Sequence, residues 1–294
     1  MTNTEHGQIL ASKLFRFLVG PERKEFVVHS LALSRLSRAL DALVNGKMSE
    51  ACEGTAVWDD MDPDTFVRFT EFAYSGDYTT PEIELRTEPD EHTRDQLSPK
   101  AGRFVQWGTD EEVEELLTYY KTHRALGRDN VVQRFIEASY PSPGPVFNPQ
   151  RVKERDMDYK KLLLCHIQLY IVGDKYCIPD LTALTTHKLH RTFVASYDPY
   201  ELQRTFRDAY DAYEPQGIAD ATRYAYANTV QGDKLRTLLS HNIASGFHGF
   251  KISISYPAIR GLLEESADIA VDVAIHLAED IDELNRAHYK IAGR

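Results

Sequence analysis

The chain has few cysteines and no long apolar run, and both shortages restrict the class of protein. Its 294 residues include three cysteines, none of them in a Cys-x-x-Cys pair. This argues against a disulfide framework and against a cysteine-rich zinc site. No stretch approaches the roughly 20 apolar residues that span a bilayer, and Met1–Ser12 has no signal-peptide core. We therefore expect an intracellular protein, in the cytoplasm or the nucleus.

The sequence patterns of catalytic and nucleotide-binding sites are also missing. The chain contains no G-x-S-x-G nucleophile pattern and no G-x-x-x-x-G-K-[ST] or G-x-G-x-x-G phosphate-binding loop. We therefore expect a protein that is not an enzyme, with no catalytic residues and no cofactor.

Basic residues are scarce relative to acidic ones. The chain has 34 Lys and Arg against 45 Asp and Glu, which gives a net charge of −11. A negative field repels phosphate backbones and anionic lipid headgroups, so we expect neither direct nucleic-acid binding nor a membrane partner. Eleven acids and only four bases lie between Glu82 and Glu115. The stretch 82–102 shows neither helical nor strand periodicity, which predicts a loop or a disordered insertion.

The first 80 residues predict a small unit of strands and helices. Leu14–Val19 and Glu25–His29 are apolar runs separated by the turn residues Gly20-Pro21, so we expect a hairpin. Ser30 opens a helical pattern that lasts until Asn45-Gly46.

A third strand and a further helix complete this unit. Thr55–Trp58 is a short strand candidate. Asp62-Pro63 combines an acidic N-cap with proline in the first turn, and Gly76 stops the helix that follows.

Beyond the acidic stretch the pattern is helical. Thr109 and Glu112 form a capping box that predicts one helix, and from about Asp156 apolar residues recur at helical spacing. Pro179, Pro199 and Pro257 open successive helices. The overall expectation is an α+β fold with an all-helical C-terminal extension.

Two patterns invite a metal-binding interpretation. Asp60, Asp62, Asp64 and Glu71 occupy ligand positions of a calcium-binding EF-hand loop, but the sixth position is Thr65 instead of glycine. The same residues also fit a helix start, which excludes the loop.

His187 and His190 lie one helical turn apart, which is the spacing of half a zinc site. No cysteine or acid pair at ligand spacing stands nearby, so we expect partly exposed helix histidines. We therefore predict no metal site.

Several ordered motifs resemble the BTB/POZ domain family. Phe17-Leu18-Val19-Gly20 and Glu25-Phe26-Val27-Val28-His29 look like the opening of such a domain. The fungal branch is resembled by Tyr74-Ser75-Gly76-Asp77-Tyr78, by Gly173-Asp174-Lys175-Tyr176 and by Lys188-Leu189-His190. The resemblance implies residues 1–195 as a BTB/POZ-like domain with an acidic insertion at about 82–158. Residues 196–294 would form the helical C-terminal region.

The resemblance implies a small sheet flanked by helices and a function in binding other proteins. Members of the family act as adaptors or scaffolds, some as substrate adaptors for cullin-type ubiquitin ligases, and some form homo-oligomers. Ligase-type partners dock near the corner between helix and strand, so the candidate partner-binding residues are Tyr74, Asp77, Tyr78 and Thr79. The alternative is a transcriptional regulator that acts through corepressor or partner binding instead of direct DNA contact.

Overall fold

The computed structural model describes residues 4–85, 104–106, 130–143, 147, 149–152, 157–195, 215–248, 254 and 256–292. In chain order the elements are α1 (Glu5–Leu10), β1 (Leu14–Val19), β2 (Lys24–His29), α2 (Ser30–Ser34), α3 (Arg38–Asn45), α4 (Ser49–Glu53), β3 (Thr55–Trp58), α5 (Pro63–Ser75), β4 (Glu84–Leu85), β5 (Phe104–Gln106), α6 (Asn130–Glu137), β6 (Gln150–Val152), β7 (Met157–Asp158), α7 (Lys160–Lys175), α8 (Pro179–Ala195), α9 (Pro215–Asn228), α10 (Lys234–His248), α11 (Pro257–Glu265) and α12 (Ala267–Ala292).

The chain divides into two compact units. The first comprises Met1–Pro81, Pro141–Pro145 and Gln168–Thr185, and the second comprises Glu82–Tyr140, Val146–Ile167 and Thr186–Arg294. The domain limits predicted from the sequence stay predictions.

The first unit contains a three-stranded sheet with the order β2-β1-β3. Strands β1 and β2 form the predicted antiparallel hairpin, and Gly20 makes its turn with a φ of 75°. Strand β3 pairs with β1 in parallel, with Phe17 opposite Ala56. The three strands were predicted from local pattern, whereas the parallel pairing was not.

Alternation along β1 decides which face of the sheet is buried. Phe15 and Phe17 are almost fully buried, and Phe17 lies 4.8 Å from Trp58 and 5.1 Å from Phe66 between ring centroids. Such aromatic contacts supply much of the core of a small unit. The opposite face is open: Leu14, Val27 and Val57 are exposed by 60%, 54% and 46%.

The helix predicted from Ser30 to Asn45-Gly46 is two helices, α2 and α3. Ser37 stands between them in extended conformation, and its side chain accepts a hydrogen bond from the Leu40 amide at 3.2 Å. A serine hydroxyl in this position caps a new helix start, which is why the chain breaks there. Leu40 and Val44 then fill the core from α3.

The turn between α7 and α8 belongs to the first unit. Tyr176 stacks on Trp58 at 4.8 Å, and Lys175 pairs with Asp60 at 2.8 Å. A Cβ placed on Gly173 would lie 2.9 Å from Thr182 Cγ2, so the two helices approach closely only because residue 173 has no side chain. The motif Gly173-Asp174-Lys175-Tyr176, which resembles the family, therefore forms the tight turn between α7 and α8.

The second unit is mainly helical but also includes pieces of the acidic stretch. Strand β4 pairs with β7 and β5 pairs with β6, both antiparallel. Thus part of the segment predicted as a loop takes part in sheet pairing. Three predicted features lie outside the described residues: residues 86–102 of that segment, the helix predicted after Thr109 and the helix predicted to open at Pro199.

Helix α6 was missed by the sequence reasoning. Its residues Val131, Val132, Phe135 and Ile136 are all buried. It packs against α10 and α12. The spacing of these four residues is that of one helical face and could have revealed the helix.

Arg236 is buried, although three of the four residues in Asp233–Arg236 are charged. It is 6% exposed and lies 4.5 Å above the Tyr226 ring. Its guanidinium donates to the carbonyls of Tyr226 and Thr229 and pairs with Asp268 at 3.5 Å. Asp233 caps the start of α10, because its carboxylate accepts from the Leu235 amide at 2.7 Å.

The predicted fold class is confirmed: a small three-stranded sheet with flanking helices is followed by a helical C-terminal region. Within the described ranges no helix has the length and apolar character to cross a membrane.

Candidate partner-binding corner

The candidate site is the corner formed by residues 74–79 at the C-terminal end of α5. The Asp62 carboxylate caps the start of this helix by accepting from the Thr65 amide at 2.9 Å. Gly76 ends it in the left-handed region, with φ 79°, and its amide donates to the Phe72 carbonyl at 2.8 Å. The left-handed residue turns the chain sharply, as glycine does at helix ends.

Thr79 is exposed, yet two side chains of α5 hold it in place. The Glu71 carboxylate accepts from the Thr79 amide at 2.8 Å and from its hydroxyl at 2.5 Å. Arg68 Nε donates to the Thr79 carbonyl at 3.2 Å. The corner thus presents Thr79 on a backbone that is already fixed before any partner arrives.

Asp77 is half-buried and organises the turn itself. Its carboxylate accepts from the Tyr78 amide at 2.7 Å, and its own amide donates to Ser75 Oγ at 3.2 Å. The Ser75 hydroxyl donates at 2.8 Å towards the carbonyls of Glu71 and Asp77. Asp and Ser side chains commonly stabilise turns in this way.

The two tyrosines are anchors more than surface groups. Tyr78 is 3% exposed. The Tyr74 hydroxyl accepts from the His29 amide at 3.0 Å and lies 2.9 Å from His29 Nδ1. The structure therefore brings the four candidate residues together, and it leaves Thr79 and part of Asp77 accessible. Their role in partner binding stays a prediction.

Three residues that shape the corner were not predicted: Arg68, Glu71 and His29. Glu71 and Arg68 lie one and two turns before the helix end, where a side chain can reach a chain that folds back. His29 is remote in sequence from Tyr74, so no local pattern could have indicated this pair.

The calcium-loop residues have structural roles. Residues 63–75 form α5, which confirms the helix start predicted at Asp62-Pro63. Asp60 pairs with Lys175, and this contact lowers the pKa of the Asp60 carboxyl. The described part of the chain contains no group of three or more His, Cys, Asp or Glu side chains that could hold a metal ion.

His187 and His190 each bond to a backbone carbonyl of the second unit. His187 Nδ1 lies 2.8 Å from the Tyr140 carbonyl, and His190 Nε2 lies 2.7 Å from the Phe135 carbonyl. A carbonyl can only accept a hydrogen bond, so His187 carries a proton on Nδ1 and His190 carries one on Nε2. His190 is 5% exposed, so its predicted partial exposure was wrong. Burial lowers the pKa of His190 to about 4.

Comparison with known families supports a BTB domain-containing protein. The family model described as BTB/POZ domain matches residues 16–91, which include β1 from Arg16 onwards, the rest of the sheet, α5 and the corner. No curated protein matches the chain. BTB/POZ domains are non-enzymatic modules that mediate protein–protein and oligomeric interactions, and the fold of the first unit agrees with this class.

Proposed function

We propose that this chain is an adaptor or scaffold that binds other proteins without catalysing a reaction. The observation that carries the proposal is the BTB/POZ match over residues 16–91, within which the corner presents exposed Thr79 on a fixed backbone. A surface that is already ordered loses little conformational entropy on binding.

The proposed partner is the scaffold of a cullin-type ubiquitin ligase, for which the chain would act as substrate adaptor. By resemblance to the family, ligase-type partners are expected to dock near this corner, where Thr79 is exposed and Asp77 is partly exposed. Assignment to the fungal branch of the family, and a place in the cytoplasm or nucleus, belong to the same proposal.

A titration of the purified chain against the N-terminal region of the cullin scaffold tests the proposal. We expect binding in the micromolar range or tighter, and about tenfold weaker binding for Thr79→Lys, because a lysine at a packed interface brings an unpaired charge. The substitution leaves the Thr79 amide bonded to Glu71. Ser49→Lys, at an exposed residue of α4, is the matched control.

Each outcome of this titration decides something definite. Binding that Thr79→Lys weakens and Ser49→Lys does not supports a ligase adaptor that uses the corner. Equal binding by both variants would remove the corner from the proposal. No binding by the unaltered chain would refute the ligase role and leave the BTB fold standing.

Homo-oligomerisation is a separate part of the proposal. Its support is the open face of the sheet, where Leu14, Val27 and Val57 are exposed. Sedimentation equilibrium of the unaltered chain and of Val27→Ser would test it. A mass above that of one chain, reduced by Val27→Ser, is the expected result, and a monomer at all concentrations contradicts it.

A further inference from the structure

Helix α12 has an exposed apolar stripe on the side away from its own core. Ile269 and Val273 are buried in the second unit, where α12 packs on α10 and α11. The stripe consists of Ala267, Val271, Ala274, Ile275, Ala278 and Ile281, all of them exposed.

The stripe has the spacing that helices use to pack on other helices. Its members recur every three or four residues, so they fall on one side of the helix over four turns. Val271, Ile275 and Ile281 are exposed by 54%, 50% and 57%. Alanines between these larger residues allow a second helix axis to come close.

The helix segment that carries the stripe is acidic. Residues 264–285 contain eight Asp and Glu and no Lys or Arg. Asp268 and Glu279, at the edge of the stripe, pair with Arg236 and Arg134 but keep side-chain exposures of 70% and 55%. A partner helix on the stripe would therefore have these carboxylates along its flank.

This charge distinguishes between possible occupants. A second copy of α12 would bring carboxylates against carboxylates, and flanking charges of like sign disfavour helix pairing. An anionic lipid surface is repelled for the same reason. An amphipathic helix with Lys or Arg beside its apolar residues would match both the stripe and its acidic edge.

We propose that the α12 stripe is a docking surface for a basic amphipathic helix of another protein. This surface is distinct from the corner at residues 74–79, so the proposal goes beyond ligase adaptor function and does not depend on it. The apolar residues supply the contact area, and the acids select the sign of the partner's flanking charge.

The test uses the full chain and a designed helical peptide with leucine at heptad positions a and d and lysine at e and g. A twin peptide with glutamate at e and g, and a lysine peptide with its leucines replaced by serine, serve as controls. Fluorescence anisotropy measures binding. Val230→Ser/Ile254→Ser is the matched control for Ile275→Ser/Ile281→Ser, because Val230 and Ile254 are also exposed, by 75% and 57%.

We expect the lysine peptide to bind saturably and the two control peptides not to bind. Ile275→Ser/Ile281→Ser should weaken binding at least about tenfold, as removal of central apolar anchors does, while the control pair leaves it unchanged. Raising the salt from about 50 mM to about 300 mM should also weaken binding, because the flanking contacts are exposed.

Three results would overturn the proposal. One is the absence of saturable binding by the lysine peptide, and another is equal binding by the Ile275→Ser/Ile281→Ser variant. The third is a concentration-dependent dimer that this variant abolishes, since the occupant would then be a second copy. None of these results bears on the cullin titration, so the two proposals fail separately.

Discussion

Acidification from pH 7 to pH 5 should destabilise the second unit, because this unit buries two neutral histidines. His190 and His241 hold helix α6 through its carbonyls: His190 Nε2 lies 2.7 Å from Phe135 O and His241 Nε2 lies 3.2 Å from Val131 O. Burial lowers the pKa of His190 to about 4. Burial, and then the neighbouring His276, lower the pKa of His241 to about 3.

The surroundings add positive charge close to the His241 ring. His276 stacks on it at 4.6 Å between centroids, and Arg134 from α6 lowers the pKa of His241 further. The Glu279 carboxylate pairs with Arg134 at 3.2 Å and lies 3.9 Å from His276 Nδ1. Burial also lowers the pKa of His276. A proton on His241 would therefore be poorly compensated in the folded protein.

The magnitude follows from linkage between protonation and folding. In the unfolded chain both histidines titrate near 6.5, so between that pH and the folded pKa only the unfolded state takes up protons. Stability is fully present above about pH 6.5, and it falls until the pH reaches the folded pKa values. At pH 5 each histidine should lower the free energy of unfolding by about 2 kcal/mol, and the two together by about 4 kcal/mol.

Urea unfolding followed by far-ultraviolet circular dichroism at pH 7, 6 and 5 measures this loss. Hydrogen exchange at α6 and α10 assigns it to the second unit. Glutamine keeps an N–H donor, so His190→Gln and His241→Gln should each reduce the pH dependence between pH 6 and pH 5 by about 1 kcal/mol. His6→Gln, at an exposed position in α1, is the control. If the buried variants show the same pH dependence as His6→Gln, the reasoning is refuted.

Three further predictions concern stability and are checked by chemical or thermal unfolding. Gly173→Ala should cost about 1–3 kcal/mol because its Cβ meets Thr182 Cγ2, and Thr182→Ser should recover part of this; no recovery would contradict the contact. Tyr78→Ala should lower the free energy of unfolding by about 3 kcal/mol because it leaves a cavity at a buried position. Weak partner binding by that variant would then reflect unfolding. Wild-type stability of the variant would contradict the prediction. Arg236→Met should lower the free energy of unfolding by about 3 kcal/mol, because the carbonyls of Tyr226 and Thr229 lose the donor that Arg236 supplies. Arg236→Lys should recover little of this stability because lysine lacks the planar guanidinium. Full recovery by lysine would show that the guanidinium geometry is not required.

Local signals in the sequence predicted much of the first unit. Strands β1 and β3 have the predicted bounds, and α5 starts and stops at the predicted cap and glycine. The turn at Gly20 and the helix starts at Pro179 and Pro257 were also predicted. These features depend on interactions between residues a few positions apart, which a linear sequence displays directly.

The contacts of the four candidate residues were not predicted, and their role in partner binding stays a prediction. Tyr74, Asp77, Tyr78 and Thr79 do form one corner, yet the sequence could not indicate that Tyr78 is buried. The contact from Tyr74 to His29 spans 45 positions. Such a contact depends on the packing of α5 against the sheet and not on any local preference.

The sequence by itself determined the hairpin, the third strand, the helix starts at Ser30, Pro63, Pro179 and Pro257, and the excess of acidic charge. Only the tertiary structure decided that β3 runs parallel to β1 and that Arg236 is buried. The tertiary structure likewise decided which face of α12 is buried and which is exposed. The reason is physical: turns, caps and charge are properties of neighbouring residues, whereas burial depends on which distant surfaces meet and exclude water.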